Sequence, residues 1–381
     1  MSDLLITLLI IPGLYMLYLA VFMLWVETQT RGDRYFARPL EQRVQFVHLL
    51  RAQARFIRPF FDLIAKVFRL KILPSMRYEG VTGPPMMCSK KSYLRTKNYV
   101  PQEEDIFVAT QMKCGTTWMQ QIVFEILCSG NGDLTDSGYR HMYALSPWIE
   151  TSPTSSVPME RAPLVGPQRN RIIKTHMPAQ LTPYAKKAKY IYVTRHPVSC
   201  FASCVDFIHL LAGPLAPERE DLLNWYCSDD MWWMSWPDHV EGWWQRSQQC
   251  DNVLFVHYED LKKDLPKMIQ SIAEFLQRPL NTEQLEKVVY KSSFEYMRDN
   301  EAQFEMFSPN VFSVSKDDIR FMQSGALDRH QDTNDIERTR INAFCREKLK
   351  NATYPLSQYY PDVLETTDSV QSESHLHEQA S

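Results

Sequence analysis

Apolar residues recur along residues 105–290 with two different periods, and the two kinds of segment alternate. Short runs of apolar and β-branched residues predict strands, at residues 106–110, 171–175, 190–194 and 253–257. Apolar positions spaced three or four residues apart predict helices, at residues 116–128, 197–211, 238–249, 265–276 and 282–289. This alternation predicts an α/β fold in which a parallel sheet is flanked by helices on both faces.

The start of the chain carries a nearly unbroken apolar run, residues 4–25. The run is long enough to cross a hydrocarbon core of about 30 Å as one transmembrane helix. A cleaved signal peptide is less favoured, because no lysine or arginine precedes the run and no small-residue cleavage site follows closely. Arg31, Arg34, Arg38 and Arg43 follow it, and they predict a single-pass membrane protein with its main domain in the cytoplasm. A Golgi-type lumenal orientation is the alternative.

Residues 40–73 alternate basic and apolar positions at helical spacing. This pattern predicts either a basic amphipathic helix lying on the membrane, interrupted near Pro59, or a helix packed on the following domain. Residues 80–361 are predicted to form that domain, with residues 299–335 as a lid. The polar residues 362–381 predict a disordered tail.

Composition narrows the class of protein. A hydrophobic content of 44% supports one large α/β domain, and a net charge of −3 gives no reason to invoke nucleic acid. The eight cysteines lack zinc-ligand spacing, so no metal site is predicted. The tryptophans concentrated at residues 225–244 are expected to form buried core.

The most specific chemical signal is a polar loop between the first predicted strand and helix. It contains Lys113 and Gly115, and two threonine hydroxyls begin the helix. Free N–H groups at a helix start, a glycine that permits close approach and a lysine charge suit a phosphate or sulfate group. The loop lacks the first glycine of the nucleotide-triphosphate P-loop, which argues against a kinase.

The segment Lys113-Cys114-Gly115-Thr116-Thr117-Trp118 resembles the 5′-phosphosulfate loop of the cytosolic-type sulfotransferases, usually Pro-Lys-Ser-Gly-Thr-Thr-Trp. Further matches follow in the family's order, at residues 146–150, 173–176, 192–195, 258–261 and 293–294. The resemblance spans about residues 104–325. It implies the P-loop-like sulfotransferase fold and the co-substrate 3′-phosphoadenosine 5′-phosphosulfate (PAPS), with no metal.

The resemblance also implies roles for individual residues. His176 is the expected catalytic base, since a neutral imidazole can take a hydroxyl proton near pH 7, and Lys113 and Lys174 would stabilise charge on the transferring group. The expected cofactor-binding residues are Lys113, Cys114, Gly115, Thr116, Thr117, Trp118, Arg195, Ser203, Tyr258 and Phe294.

The chain departs from the family near its C-terminus. The family has Phe-Met-Arg-Lys-Gly there, whereas this chain has Phe321-Met322-Gln323-Ser324-Gly325, so two cations expected on the 3′-phosphate are missing. Arg329 and His330 are alternatives for the missing charge. The usual dimer segment is also absent, which leaves the oligomeric state open.

The function predicted from the sequence is transfer of a sulfuryl group to a hydroxyl or amine of a lipophilic small molecule. Lipophilicity rests on the apolar N-terminal run alone. A catalytically silent nucleotide-binding relative and a P-loop kinase are the alternatives.

Overall fold

The computed structural model describes residues 2–69, 71, 73–85, 87–135, 139–152, 155–305, 322 and 329–365. Its helices are α1 (Ser2–Thr30), α2 (Gly32–Tyr35), α3 (Leu40–Val67), α4 (Lys90–Lys97), α5 (Thr116–Leu127), α6 (Met142–Leu145), α7 (Pro197–Ala212), α8 (Arg219–Tyr226), α9 (Trp236–Gln249), α10 (Tyr258–Lys263), α11 (Leu265–Phe275), α12 (Thr282–Lys291), α13 (Phe294–Asp299), α14 (Asp335–Leu349) and α15 (Leu356–Tyr359). Its strands are β1 (Met76–Tyr78), β2 (Val81–Gly83), β3 (Asp105–Thr110), β4 (Arg171–Thr175), β5 (Lys189–Thr194) and β6 (Val253–His257).

The central sheet has the strand order β4-β3-β5-β6, and every pair in it is parallel. These four strands are the four predicted from apolar runs, and a separate β1–β2 hairpin precedes them. Parallel strands covered on both faces read as continuous apolar segments, which explains why the pattern located them. The prediction of an α/β fold with a parallel sheet is confirmed.

Alternate residues of the central strand β3 serve two separate hydrophobic layers. Ile106 and Val108 belong to the layer formed with α5, α11 and α12. Phe107 and Ala109 belong to the opposite layer, which includes α7, α8, α9 and, from residues 225–244, five buried tryptophans, Trp225, Trp232, Trp233, Trp236 and Trp243. The expected buried aromatic core is therefore present, and the sheet is held rigidly between two packed faces.

Helix α9 begins two residues earlier than its apolar spacing indicates. Pro237 occupies its first turn, where a residue without an N–H loses no intrahelical hydrogen bond. The early start places Trp236 inside the helix, and its indole N–H donates to the carbonyl of Arg195 at 3.0 Å. The helix is thereby fixed to the loop that follows β5.

Helix α3 packs on the domain through its first turns. Arg43 is buried and donates to the carbonyls of Ala302 at 3.0 Å and Arg140 at 2.8 Å. The start of α3 therefore contacts the domain, and the membrane-surface position of residues 40–73 stays a prediction.

The predicted break near Pro59 is wrong, because α3 continues through that residue. Pro59 lies on the exposed side of the helix, where water can satisfy the backbone carbonyl that proline leaves unpaired.

Helix α1 packs along α3 in the opposite direction. The hydroxyl of Tyr15 donates to the carbonyl of Phe56 at 2.6 Å, and the rings of Trp25 and Phe46 lie 5.5 Å apart. Among the residues that the structure describes, two helices could cross a membrane by length and composition, at Ile10–Thr30 and at Pro197–Leu215. The second is 56% buried and forms the core helix α7, whereas the first is 17% buried. The transmembrane segment at residues 4–25 therefore stays a prediction.

Most of two predicted segments, the lid and the C-terminal tail, lies outside the described residues. Most of the expected lid lies at residues 306–321 and 323–328, which are outside the described residues. The same holds for residues 366–381 of the expected tail. Val363, by contrast, is buried against the domain.

Candidate active site

The carboxyl ends of the four parallel strands lie at one edge of the sheet, and a residue with a polar or charged group ends or directly follows each strand. Thr110 ends β3, His176 follows β4, Arg195 follows β5 and Tyr258 follows β6. Ligands of open α/β sheets bind at this edge. The fold therefore brings together residues that lie up to about 150 positions apart in the sequence.

The loop after β3 has the backbone geometry of an anion site. Gly115 precedes α5 with a left-handed φ of 100°, and Lys113 also has a positive φ of 65°. The first N–H groups of α5 have no intrahelical acceptors and point out of the helix start, where an anion is favoured. The hydroxyl of Thr116 lies 2.6 Å from that of Thr110, which fixes the helix start to the end of β3.

A buried carboxylate holds the end of β4. Glu150 Oε1 accepts hydrogen bonds from the backbone N–H of His176 at 2.6 Å and from the indole of Trp148 at 2.5 Å. Its other oxygen accepts from the hydroxyl of Thr175 at 3.0 Å. Glu150 is fully buried, so these donors compensate for its lost hydration. The carboxylate thereby fixes the backbone that carries the predicted base.

The surroundings of His176 define its tautomer. Its Nδ1 lies 2.9 Å from the carbonyl oxygen of Thr110, and a carbonyl can only accept. Nδ1 therefore carries the proton and Nε2 carries the lone pair. Burial, together with the charge of Lys174, holds the pKa of His176 well below its usual range. The imidazole is thus neutral at pH 7, as a proton acceptor must be.

Lys174 lies almost completely buried among aromatic rings. Its Nζ is 3.7 Å from the centroid of the Trp148 ring and 3.2 Å from the hydroxyl of Tyr143. Burial lowers the pKa of Lys174 to about 7, although the Glu150 carboxylate opposes that shift and the charge of Lys113 adds to it. The second lysine, Lys113, has its Nζ 4.6 Å from the ring centroid of Phe207. The charges of Lys113 and Lys174 therefore both act on His176, where each lowers the pKa of the imidazole.

Three aromatic or cationic groups meet on the other side of the anion loop. The guanidinium of Arg195 lies 4.5 Å from the ring centroid of Tyr258, and the rings of Tyr258 and Trp118 are 5.2 Å apart. The indole of Trp118 donates to the carbonyl of Ser292 at 2.7 Å. That bond places Trp118 next to the start of α13, where Phe294 is the first helical residue. Flat rings in this arrangement can stack on a purine base.

Ser203 and Cys114 complete the set of predicted site residues. Ser203 lies on α7, which begins directly after the β5 loop. Cys114 is buried, and its sulfur lies 3.7 Å from that of Cys200. Burial raises the pKa of the Cys114 thiol well above its usual range, so the thiol is neutral. Cys114 thus serves as a small residue in the loop.

Sequence reasoning missed three of the residues that contact the predicted catalytic groups. Trp148 and Glu150 lie in residues 146–150, which match the family without a role for either residue, and Tyr143, whose hydroxyl contacts Lys174, lies in no motif. None of the three lies in a periodic pattern that could have shown its contact. Gln323 and Ser324 lie outside the described residues, as do the side chains of Arg329 and His330.

The fold and this edge are typical of an α/β enzyme, with an anion-type loop beside a buried imidazole. Residues 103–353 match the sulfotransferase domain model. The chain belongs to the sulfotransferase family, and the reaction of that family is sulfuryl transfer.

Relatives and solved structures agree with this assignment. The chain is 30% identical over 243 residues to the 3-alpha-hydroxysteroid sulfotransferase of Cavia porcellus, covering 62% of this chain and 81% of that protein. It is 34% identical over 231 residues to sulfotransferase 2B1 of Mus musculus, covering 59% and 65%. The structure of a retinol dehydratase complexed with retinol and PAP superimposes with a TM-score of 0.60 at 22% identity, covering 74% of this chain and 93% of that one. The sulfotransferase fold predicted from the sequence is confirmed.

Proposed function

We propose that this sulfotransferase takes its sulfuryl group from PAPS and gives it to a hydroxyl or amine of a lipophilic small molecule. The observation that carries the proposal is the convergence of Lys113, Lys174 and a neutral, buried His176 at the ends of the neighbouring strands β3 and β4. A base and two cations at one strand edge are suited to in-line transfer of a sulfuryl group from a phosphate oxygen to a hydroxyl or amine.

Each of these residues has a definite task in the proposed reaction. His176 Nε2 takes the proton of the acceptor hydroxyl while that oxygen forms its bond to sulfur. Lys113, Lys174 and the N–H groups at the start of α5 stabilise the charge that develops as the bond from sulfur to the phosphate oxygen breaks. The released 3′-phosphoadenosine 5′-phosphate (PAP) then carries the bond's electron pair. Arg195 and Ser203 are proposed to hold its 3′-phosphate, and Trp118, Tyr258 and Phe294 its adenine.

The walls around the base support a lipophilic acceptor. The rings of Trp148 and Trp233 lie 5.0 and 4.9 Å from the imidazole of His176, and both tryptophans are buried. An apolar molecule would lose less hydration there than a polar one. Retinol and hydroxysteroids, named for relatives of this chain, are therefore the first acceptors to test.

Binding and turnover separate this proposal from its alternatives. Isothermal titration calorimetry with PAP should show binding, and retinol or a 3-hydroxysteroid should be sulfated when PAPS is added. Failure to bind PAP would overturn the assignment of the donor. Binding without turnover of any alcohol, phenol or amine would favour a catalytically silent relative, and phosphate transfer from ATP would favour a kinase.

We expect Gly115→Ala to weaken PAP binding. An added Cβ would lie 2.9 Å from the ring carbon Cδ2 of Tyr258, the ring on which Arg195 packs. The left-handed backbone would cost about 1–2 kcal/mol in addition. The matched control is Gly80→Ala, which has a φ of 79° but no atom within 4 Å of the added Cβ. Equal loss of PAP affinity in both variants would contradict the contact argument, and calorimetry measures both.

We propose that the N-terminal apolar helix attaches the enzyme to a membrane as a single pass, with the catalytic domain in the cytoplasm. Asn351 is exposed and begins the glycosylation sequon Asn351-Ala352-Thr353, so it reports the orientation. In eukaryotic cells we expect the protein in the membrane fraction, with a gel mobility unchanged by glycosidase and by Asn351→Gln. A glycan on Asn351 would show the lumenal orientation.

A further inference from the structure

The segment between the apolar helix and the domain contacts Tyr143, a residue that in turn contacts Lys174 of the candidate active site. We call residues 31–39 the linker segment. They lie outside residues 103–353, the part of the chain that matches the sulfotransferase domain. Phe36, which follows α2, is almost fully buried, and its ring stacks on Tyr143 with centroids 5.3 Å apart and planes 19° from parallel. Tyr143 is the residue whose hydroxyl contacts Lys174 at 3.2 Å.

The linker segment makes two further contacts near Tyr143 and Trp148. A Cβ at Gly32 would lie 2.5 Å from the backbone of Ser156, so the two backbones are in close contact. The hydroxyl of Ser156 accepts a hydrogen bond from the backbone N–H of Trp148 at 2.8 Å. The guanidinium of Arg140 also donates to the carbonyl of Ala37. The linker segment therefore contacts Tyr143 on one side of Lys174 and, on the other side, Ser156, which binds the backbone of Trp148.

We propose that the linker segment is a positioning element of the active site, and that Phe36 acts on Lys174 by holding the Tyr143 ring. This inference rests on the proposed role of Lys174 in sulfuryl transfer. It assigns to the membrane-proximal part of the chain a task in catalysis in addition to attachment. Phe36 itself reaches no reacting atom and is a positioning residue.

The position of the Tyr143 ring matters because few groups hold the Lys174 ammonium in place. The groups that face it are the Glu150 carboxylate, the Lys113 ammonium, the His176 imidazole, the Cys88 thiol, the hydroxyl and ring of Tyr143 and the Trp148 ring. Of these, the Tyr143 hydroxyl is the one within hydrogen-bond distance of Nζ among the described contacts. A ring that could tilt would let that hydroxyl, and the ammonium with it, leave the productive position.

The test is a double-mutant cycle on full-length protein in phospholipid nanodiscs. Phe36→Ala should lower kcat by about 10–100-fold, since a displacement of about 1 Å can cost about 10²-fold. Tyr143→Phe keeps the ring and its stacking but removes the hydroxyl that contacts Lys174. In that background Phe36→Ala should cost several-fold less than in the wild type, because the hydroxyl contact is already gone and only the weaker contact of Nζ with the ring, 4.8 Å from its centroid, remains.

Three results would overturn the proposal. They are equal losses from Phe36→Ala in both backgrounds, wild-type kcat in Phe36→Ala, and wild-type kcat in Tyr143→Phe. An inactive wild-type protein would instead refute the proposed function, and it would be seen before any variant is compared. Phe36→Leu, which keeps an apolar side chain at this position, should restore most of kcat, and it replaces alanine in the cycle if Phe36→Ala does not fold.

The matched control is Phe22→Ala. Phe22 is also a buried aromatic of the N-terminal region, but it lies on α1, and its ring packs on those of Tyr18 and Trp25, with centroids 6.1 and 5.8 Å apart. We expect it to lower the unfolding temperature while the folded fraction keeps wild-type kcat. A fall in kcat as large as that of Phe36→Ala would show that any loss of packing in this region has the same effect, which would overturn the specific role of Phe36.

Discussion

His176→Ala should lower kcat by about 10²–10⁴-fold, the usual contribution of a general base. His176 is the buried imidazole whose Nδ1 is committed to the carbonyl of Thr110 at 2.9 Å, which leaves Nε2 as the acceptor of a proton. Alanine removes that lone pair and keeps the backbone N–H that binds Glu150 at 2.6 Å. The loss should therefore appear in kcat, with binding of PAP nearly unchanged by calorimetry.

A control on another histidine separates chemistry from stability. His209 lies half-buried on α7, where its Nδ1 contacts the carbonyl of Val205 at 2.8 Å. His209→Ala should change the unfolding temperature at most modestly and leave kcat close to that of the wild type. If His176→Ala retains wild-type turnover at saturating acceptor while folded, His176 is not the base.

The fold was predictable because its strands are buried on both faces. The middle of each strand is apolar, as in residues 106–109 of β3, 172–173 of β4, 190–193 of β5 and 253–256 of β6, and such a run can be recognised without knowledge of its neighbours. The break expected at Pro59 was wrong because the effect of a proline on a helix depends on its neighbours in the folded protein. Whether a proline ends a helix depends on what surrounds the carbonyl it leaves unpaired, and that is a tertiary property.

The site was predictable where residues directly follow strands. Lys174, His176, Arg195 and Tyr258 each lie at or just past a strand end, and parallel strands end at the same edge of the sheet. Tyr143 lies instead on the short helix α6 and reaches Lys174 across 31 positions of sequence. Phe36, which packs on Tyr143, is still farther from Lys174 in the sequence. Such contacts depend on side-chain packing between distant segments, which leaves no periodic signal.

Lys174→Met should lower kcat by about 10²–10³-fold, the range for loss of one preorganised charge-stabilising donor. Methionine has a similar length and no charge, so the surrounding rings of Trp148 and Tyr143 can stay packed. The variant should unfold at or above the wild-type temperature, since it removes a charge from a buried position. Wild-type kcat in the folded variant would show that Lys174 does not stabilise the transition state.

The pH dependence gives an independent test of the same lysine. Because burial lowers the pKa of Lys174 to about 7, the free enzyme loses this charge as the pH rises through about 7. If the charged form is required, kcat/KM for PAPS should fall about tenfold per pH unit above that value. An aliphatic alcohol is the right acceptor, because it does not titrate in this range.

Lys174→Arg decides whether the basic limb belongs to this residue. A guanidinium stays protonated across the whole range, so the basic limb should disappear even though the altered geometry lowers the maximal rate. Glu150→Gln should have the opposite effect and move the limb to lower pH, because the Glu150 carboxylate raises the pKa of Lys174. A basic limb that stays at its wild-type position in Lys174→Arg would assign it to another group, and Lys174 would then be charged throughout the reaction.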